Sequence, residues 1–182
     1  MTAINQVPTV PTVPTVPTGV RHVRSGEGQS LWVVGDTYTI KASGDATNGA
    51  FALIEASVPP GGGPPPHVHG REDEAFYLLD GELEVLAGQT TALARVGDFL
   101  YLPRGIVHGF TNPGVTPARM LILTAPAGFE RFFAEAGVPA RPGEQAPPLD
   151  PADFARLAEL TRSYGADIAG PAEGPPPGPE TS

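Results

Sequence analysis

The stretch from Gly61 to Asn112 constrains the fold most, because it holds three of the four histidines between two spaced sets of glycine and proline. His67 and His69 are one residue apart, so on a β-strand both imidazoles leave the same face of the sheet. That is a metal-ligand spacing for a strand and not for a helix. Glu74 follows five residues later at the head of the apolar run Ala75-Phe76-Tyr77-Leu78-Leu79, where a carboxylate can turn inward beside the two rings. His108 completes a set of three imidazoles and one carboxylate.

The 182 residues make one domain of ordinary size with a core large enough to be stable unaided. Glycine and proline, 23 of each, predict many turns and disordered ends. Cysteine is absent, so a metal here must take nitrogen and oxygen ligands. A formal net charge of −9 without any basic cluster argues against nucleic acid and anionic membrane as partners. No leader-like segment opens the chain and no stretch approaches the ~20 apolar residues of a membrane span, so a cytoplasmic protein is expected.

Along the chain, residues 1–18 read as a disordered Val-Pro-Thr repeat arm, since proline at every third position favours extended polyproline II. Residues 19–126 hold the β-rich domain. Leu31 to Ser43 alternates around Gly35-Asp36, with Trp32, Val34, Tyr38 and Ile40 as inward candidates, and Gly44 to Gly49 reads as a turn. Phe51 to Val58 is the next strand, and the proline- and glycine-rich segment 59–66 cannot pair in a sheet interior. Asp80-Gly81 reads as the turn of a hairpin joining Phe76–Leu79 to Glu82–Leu86. Further strands are expected over Thr91–Val96, Phe99–Leu102, the segment around Val107–Phe110, and Arg119–Thr124. Short strands at this spacing predict an all-β antiparallel barrel or sandwich.

Residues 127–169 are expected to form a C-terminal helical extension packed outside the barrel over an edge or mouth. It comprises a short helix over Gly128–Ala136 and a second helix capped by Asp150, with Phe154, Leu157, Ala158 and Leu160 on its apolar face and Gly165 at its end. Residues 170–182 form a proline- and glycine-rich tail expected to be disordered.

The two halves of the central stretch resemble the paired motifs of the cupins, G-x5-H-x-H-x4-E-x6-G and G-x5-P-x-G-x2-H-x3-N. Gly61, His67, His69, Glu74 and Gly81 fill the first, and Gly97, Pro103, Gly105, His108 and Asn112 fill the second. The resemblance implies the small cupin β-barrel, a jelly roll or double-stranded β-helix, with His67, His69, Glu74 and His108 as metal ligands. Gly128-Phe129-Glu130-Arg131-Phe132-Phe133, with Ala136-Gly137-Val138-Pro139, is similar to the segment after the barrel in small bacterial single-domain cupins related to quercetin dioxygenase. The resemblance spans roughly Leu31 to Pro139. It implies a metal-dependent dioxygenase (quercetin 2,4-dioxygenase-like) that opens a flavonol or another small aromatic enol or phenol with dioxygen, with Glu74 as catalytic base. It also implies a homodimer, whose interface is expected to include part of Leu31–Ser43.

Three imidazoles and a carboxylate leave one or two coordination positions open on a divalent first-row metal such as Fe, Mn, Co, Ni or Zn, and ligand type alone does not choose among them. Other activities fit the same ligands: a metal-dependent isomerase or decarboxylase, or a non-enzymatic small-molecule-binding module. Glu72 and Asp73 are the alternatives to Glu74 as the carboxylate; spacing favours Glu74, and the other two are expected to face solvent. His22 reads as solvated and Asn112 as a turn anchor. Arg104 is a rim residue that either meets an anionic substrate or is simply exposed. Phe76, Phe99, Tyr101, Phe110 and Met120 are cavity candidates, of which alternation sends about half outward.

Overall fold

The computed structural model describes residues 19–169, so the expectations for the Val-Pro-Thr arm and the C-terminal tail lie outside the described residues. The strands are β1 (Gln29–Val33), β2 (Asp36–Ala42), β3 (Ala52–Val58), β4 (His67–His69), β5 (Asp73–Asp80), β6 (Glu82–Ala87), β7 (Thr90–Arg95), β8 (Phe99–Leu102), β9 (His108–Thr111), β10 (Ala118–Ala125), β11 (Val138–Pro139) and β12 (Ala166–Ile168). Three helices accompany them: α1 (Gly44–Thr47), α2 (Glu130–Ala136) and α3 (Phe154–Ser163). The fold is all-β with short C-terminal helices, as expected.

Two antiparallel sheets form the body. One has seven strands in the order β11-β1-β2-β3-β10-β5-β8, and the other has five in the order β12-β4-β9-β6-β7. Side-chain alternation explains the layering. In β3, Ala52, Ile54, Ala56 and Val58 are fully buried and the residues between them are not, and β10 buries Ala118, Met120, Ile122 and Thr124 in the same way. From the other sheet Leu83, Val85 and Phe110 complete a single core. Burying each large apolar side chain contributes ~1.5–3 kcal/mol, which lets this core hold the sheets together without help from a ligand.

Several local expectations are corrected. Asp80-Gly81 does not close a hairpin: β5 pairs with β10 and β8, whereas β6 pairs with β7 and β9. The turn instead carries the chain from one sheet to the other, and Gly81, at φ +70°, packs where an added Cβ would stand 3.0 Å from Ala118 Cα. The β1–β2 turn is Val34-Gly35, both with positive φ, so Val34 is a turn residue and not a strand residue. Gly44–Thr47 forms one helical turn. The proline-rich loop before β4 lies tightly on β9: at Gly63 (φ +129°) an added Cβ would collide with the Phe110 carbonyl oxygen.

The C-terminal segment is threaded back into both sheets. β11 pairs with β1, and β12 pairs along the whole of β4, with Ala166, Asp167 and Ile168 opposite His69, Val68 and His67. Asp150 caps a 3-10 turn (Pro151–Asp153) by accepting from the Ala152 N–H at 2.9 Å, and α3 follows directly. Gly165, at φ +85°, ends the helical segment and turns the chain into β12.

Candidate metal centre

The four sequence-predicted ligands come from both sheets. His67 and His108 are direct cross-strand partners on β4 and β9, and His69 follows on the same face of β4. Glu74 enters from the opposing sheet, on β5 between Thr124 of β10 and Leu102 of β8. One potential ligand atom from each of the four lies within 4.8 Å of the others. His69, Glu74 and His108 are buried at 1%, 5% and 1% exposure, and His67 is half-buried at the inner end of a cavity.

The electrostatics suit a cation. Burial, helped by the neighbouring His108, pushes the His67 pKa down to about 4 against the opposing pull of Glu74, so its ring is neutral at physiological pH and free to donate a lone pair. Burial raises the Glu74 pKa, but a 2.8 Å hydrogen bond from His108 Nε2 and the surrounding imidazoles outweigh it and hold the carboxyl below its ordinary range. Burial likewise lowers the His108 pKa, and the same contact with Glu74 reverses it. His69 Nε2 stands 4.0 Å from Glu74 Oε2, and neither ring nitrogen of His69 has a hydrogen-bond partner. Fully buried nitrogens without partners are costly unless something binds them. Three imidazoles and a carboxylate converging on one point fit a divalent first-row metal.

Around this point the wall is aromatic. Tyr38, Phe110, Phe129, Phe132, Phe133 and Phe154 line the cavity together with Pro64, Pro65, Val33, Ile122 and Leu157, and among the described residues no lysine or arginine lines it. Phe129 stands edge-on to His69 with ring centroids 4.2 Å apart. Helices α2 and α3 supply cavity wall through Phe132, Phe133, Phe154, Leu157 and Thr161.

The other candidates separate cleanly. Phe110 lines the cavity, Phe76 and Met120 belong to the core, and Phe99 and Tyr101 are exposed on the outer face of the seven-stranded sheet. Arg104 does not reach the cavity: its guanidinium grips Asp73 through two hydrogen bonds of 2.9 and 3.0 Å. That pairing holds the Asp73 carboxyl well below its ordinary range. Asn112 donates to Val58 O and Thr116 O and accepts from the Gly114 N–H, so it does anchor its turn. His22 is exposed.

Two buried acids overturn or extend the sequence reading. Glu72, expected to face solvent, is 3% exposed with Oε2 3.5 Å from His69 Nδ1. Strand parity carried that signal, since Glu72 shares the phase of Glu74. Asp36 is fully buried and accepts a hydrogen bond from the Tyr38 hydroxyl at 3.1 Å. Burial raises its pKa from 3.8 to about 7, against the opposing hydrogen bonds from Tyr38 and the Gly63 N–H. Next to Gly35 it reads in sequence as a turn residue, and nothing local marks it as buried.

Two stacked sheets with three histidines and a glutamate at their centre fit a cupin fold with a candidate metal site, and the comparisons agree on the fold. Residues 54–124 match the family described as the cupin domain, so the chain carries a small cupin domain. It is 36% identical over 102 residues to germin-like protein subfamily 2 member 2 of Arabidopsis thaliana, covering 50% of this chain and 47% of that protein. It is 29% identical over 117 residues to quercetin 2,3-dioxygenase of Bacillus subtilis, covering 64% of this chain and 34% of that protein. The matches therefore span less than half the length of either relative. Among solved structures, a predicted oxalate decarboxylase from Thermotoga maritima superposes with a TM-score of 0.55 at 24% identity, over 58% of this chain and 99% of that one. An RmlC-like cupin from Shewanella frigidimarina gives a TM-score of 0.52 at 19% identity, over 62% and 96%. Both likenesses concern the fold. No helix among the described residues is long and apolar enough to cross a membrane.

Proposed function

We propose that this protein is a metal-dependent dioxygenase acting on a small aromatic enol or phenol, in the manner the similarity to quercetin 2,3-dioxygenase suggests. The observation that carries the proposal is the cavity: an aromatic wall without a lining cation among the described residues, with His67 and Glu74 in its lining. Such a wall stacks a planar uncharged ring system favourably, whereas it offers a small dianion no side-chain cation beyond the metal itself. His67, His69, Glu74 and His108 would hold the metal. A divalent metal there supplies Lewis acidity toward a substrate hydroxyl and redox chemistry with dioxygen.

The chain's own groups do the rest. Phe110, Phe129, Phe132 and Phe133 orient the ring and exclude water, so that a hydroxyl at the inner end is presented to Glu74. Glu74 Oε2, held as a carboxylate, accepts the proton of that hydroxyl. His108 Nε2, 2.8 Å from the same oxygen, orients the carboxylate in the metal-free state.

The test is oxygen uptake by metal-loaded protein supplied with flavonols and simpler phenols. Uptake matched to substrate loss supports the proposal. Substrate depletion without oxygen uptake would assign an isomerase or decarboxylase, and binding without turnover would assign a small-molecule-binding module.

A further inference from the structure

The three imidazoles of the metal centre are not held alike. His67 Nδ1 lies 3.0 Å from Pro65 O, and His108 Nδ1 lies 2.8 Å from Ile106 O. In each case a backbone carbonyl two residues upstream accepts a hydrogen bond from Nδ1–H, which turns Nε2 toward the centre, where that of His108 donates to Glu74 in the metal-free protein. His69 lacks a carbonyl partner. Its Nδ1 faces Glu72 Oε2 at 3.5 Å, and neither atom has a hydrogen-bond partner.

Glu72 lies in the short segment that joins β4 of one sheet to β5 of the other. Its Oε2 stands on the Nδ1 side of the His69 ring, whereas Glu74 Oε2 stands 4.0 Å from Nε2. Glu72 therefore lies behind His69 and not among the groups that converge on the centre. A buried carboxylate without a counter-charge is destabilising unless something compensates it. A histidine whose other nitrogen binds a divalent cation provides that compensation, because the cation's charge is passed through the ring to the Nδ1 proton.

We propose that Glu72 is the positioning carboxylate of the metal centre, accepting a hydrogen bond from the Nδ1–H of His69, aiming Nε2 at the metal, and making His69 the most electron-donating of the three imidazoles. The inference rests on the metal-site reading and on no particular reaction. It assigns a function to the one acidic residue at the site that is buried yet not a candidate ligand.

Co(II) serves as the probe, with affinity measured by chelator competition and the visible ligand-field spectrum recorded for the unaltered protein, Glu72→Gln and Glu72→Ala. Loss of an outer carboxylate on a ligating histidine weakens metal binding by ~10–100-fold. Glu72→Ala is expected to show a loss in that range and an altered spectrum. Glu72→Gln, whose amide oxygen still accepts a hydrogen bond from the Nδ1–H but carries no charge, should retain part of the affinity. The metal-free forms of both variants should melt no lower than the unaltered protein, since a buried acid has been removed. Unchanged affinity and spectrum in Glu72→Ala would overturn the proposal. So would an equal fall in metal-free melting temperature and metal affinity, which marks a packing role alone. Failure of the unaltered protein to bind Co(II) would overturn the metal-site reading itself, a result separate from either of these.

Discussion

Replacing Asp36 by asparagine should stabilise this protein, and the gain should grow with pH. Asp36 is fully buried on β2, and its pKa rises from 3.8 to about 7 because burial penalises the charged form. The folded state therefore binds this proton more tightly than the unfolded state. Its stability is complete below pH 3.8, declines as pH rises through the interval, and has lost its full amount above about pH 7. The gap corresponds to about 4 kcal/mol at about 1.4 kcal/mol per tenfold change in proton affinity. Asparagine has the same shape, can accept from the Gly63 N–H and donate to the Tyr38 oxygen, and does not titrate. The stability difference between Asp36→Asn and the unaltered chain should therefore increase by about 2.5 kcal/mol between pH 5 and pH 8. Urea unfolding of the metal-free proteins, followed by circular dichroism across that range, measures it. Taking the difference cancels the histidines and carboxylates common to both chains. Parallel pH profiles, or a variant that is less stable by the same amount throughout, would refute the reasoning.

Three further outcomes follow from the site and the surface. In proteins loaded equally with one metal, Glu74→Gln should lower turnover of a flavonol or phenol by ~100–10,000-fold if Glu74 is the general base, and equal turnover per bound metal excludes that role. Removing metal with a chelator should lower the melting temperature without erasing the β-sheet circular dichroism signal, since the apolar core is continuous without it; metal at one hundred times its Kd stabilises by about 2.7 kcal/mol. Leu31, Trp32, Val33 and Tyr38 are buried within the chain, whereas Tyr77, Phe99 and Tyr101 are 44%, 65% and 58% exposed on the outer face of the seven-stranded sheet. Sedimentation equilibrium is accordingly expected to give a homodimer that Tyr101→Glu weakens, and a monomer mass for the unaltered chain refutes the dimer.

The site was more legible than the path of the chain around it. His67 and His69 share a strand face at any register, whereas His108 on the neighbouring strand and Glu74 on the opposing sheet were joined to them by the resemblance to the paired cupin motifs. The sheet assignment of β5 and β6 was not legible, because Asp80-Gly81 has the same turn chemistry whether the next strand folds back or crosses to the other sheet. β12 was missed because three residues carry no alternation of their own, and pairing with β4 across almost a hundred residues creates the strand. Asp36 and Glu72 were hidden by the general rule that acids face water, which holds until a site requires otherwise. The aromatic wall drew on Phe129, Phe132 and Phe133, residues whose sequence signal is that of an amphipathic helix and not of a cavity.

The account turns on whether His67, His69, Glu74 and His108 hold a metal. Elemental analysis of protein purified without added metal, alongside its His69→Ala variant, tests this most directly. About one divalent first-row ion per chain in the unaltered protein, lost in the variant, is the predicted result. Full occupancy retained in His69→Ala would contradict it, as would an unaltered chain that takes up no first-row ion even when one is supplied.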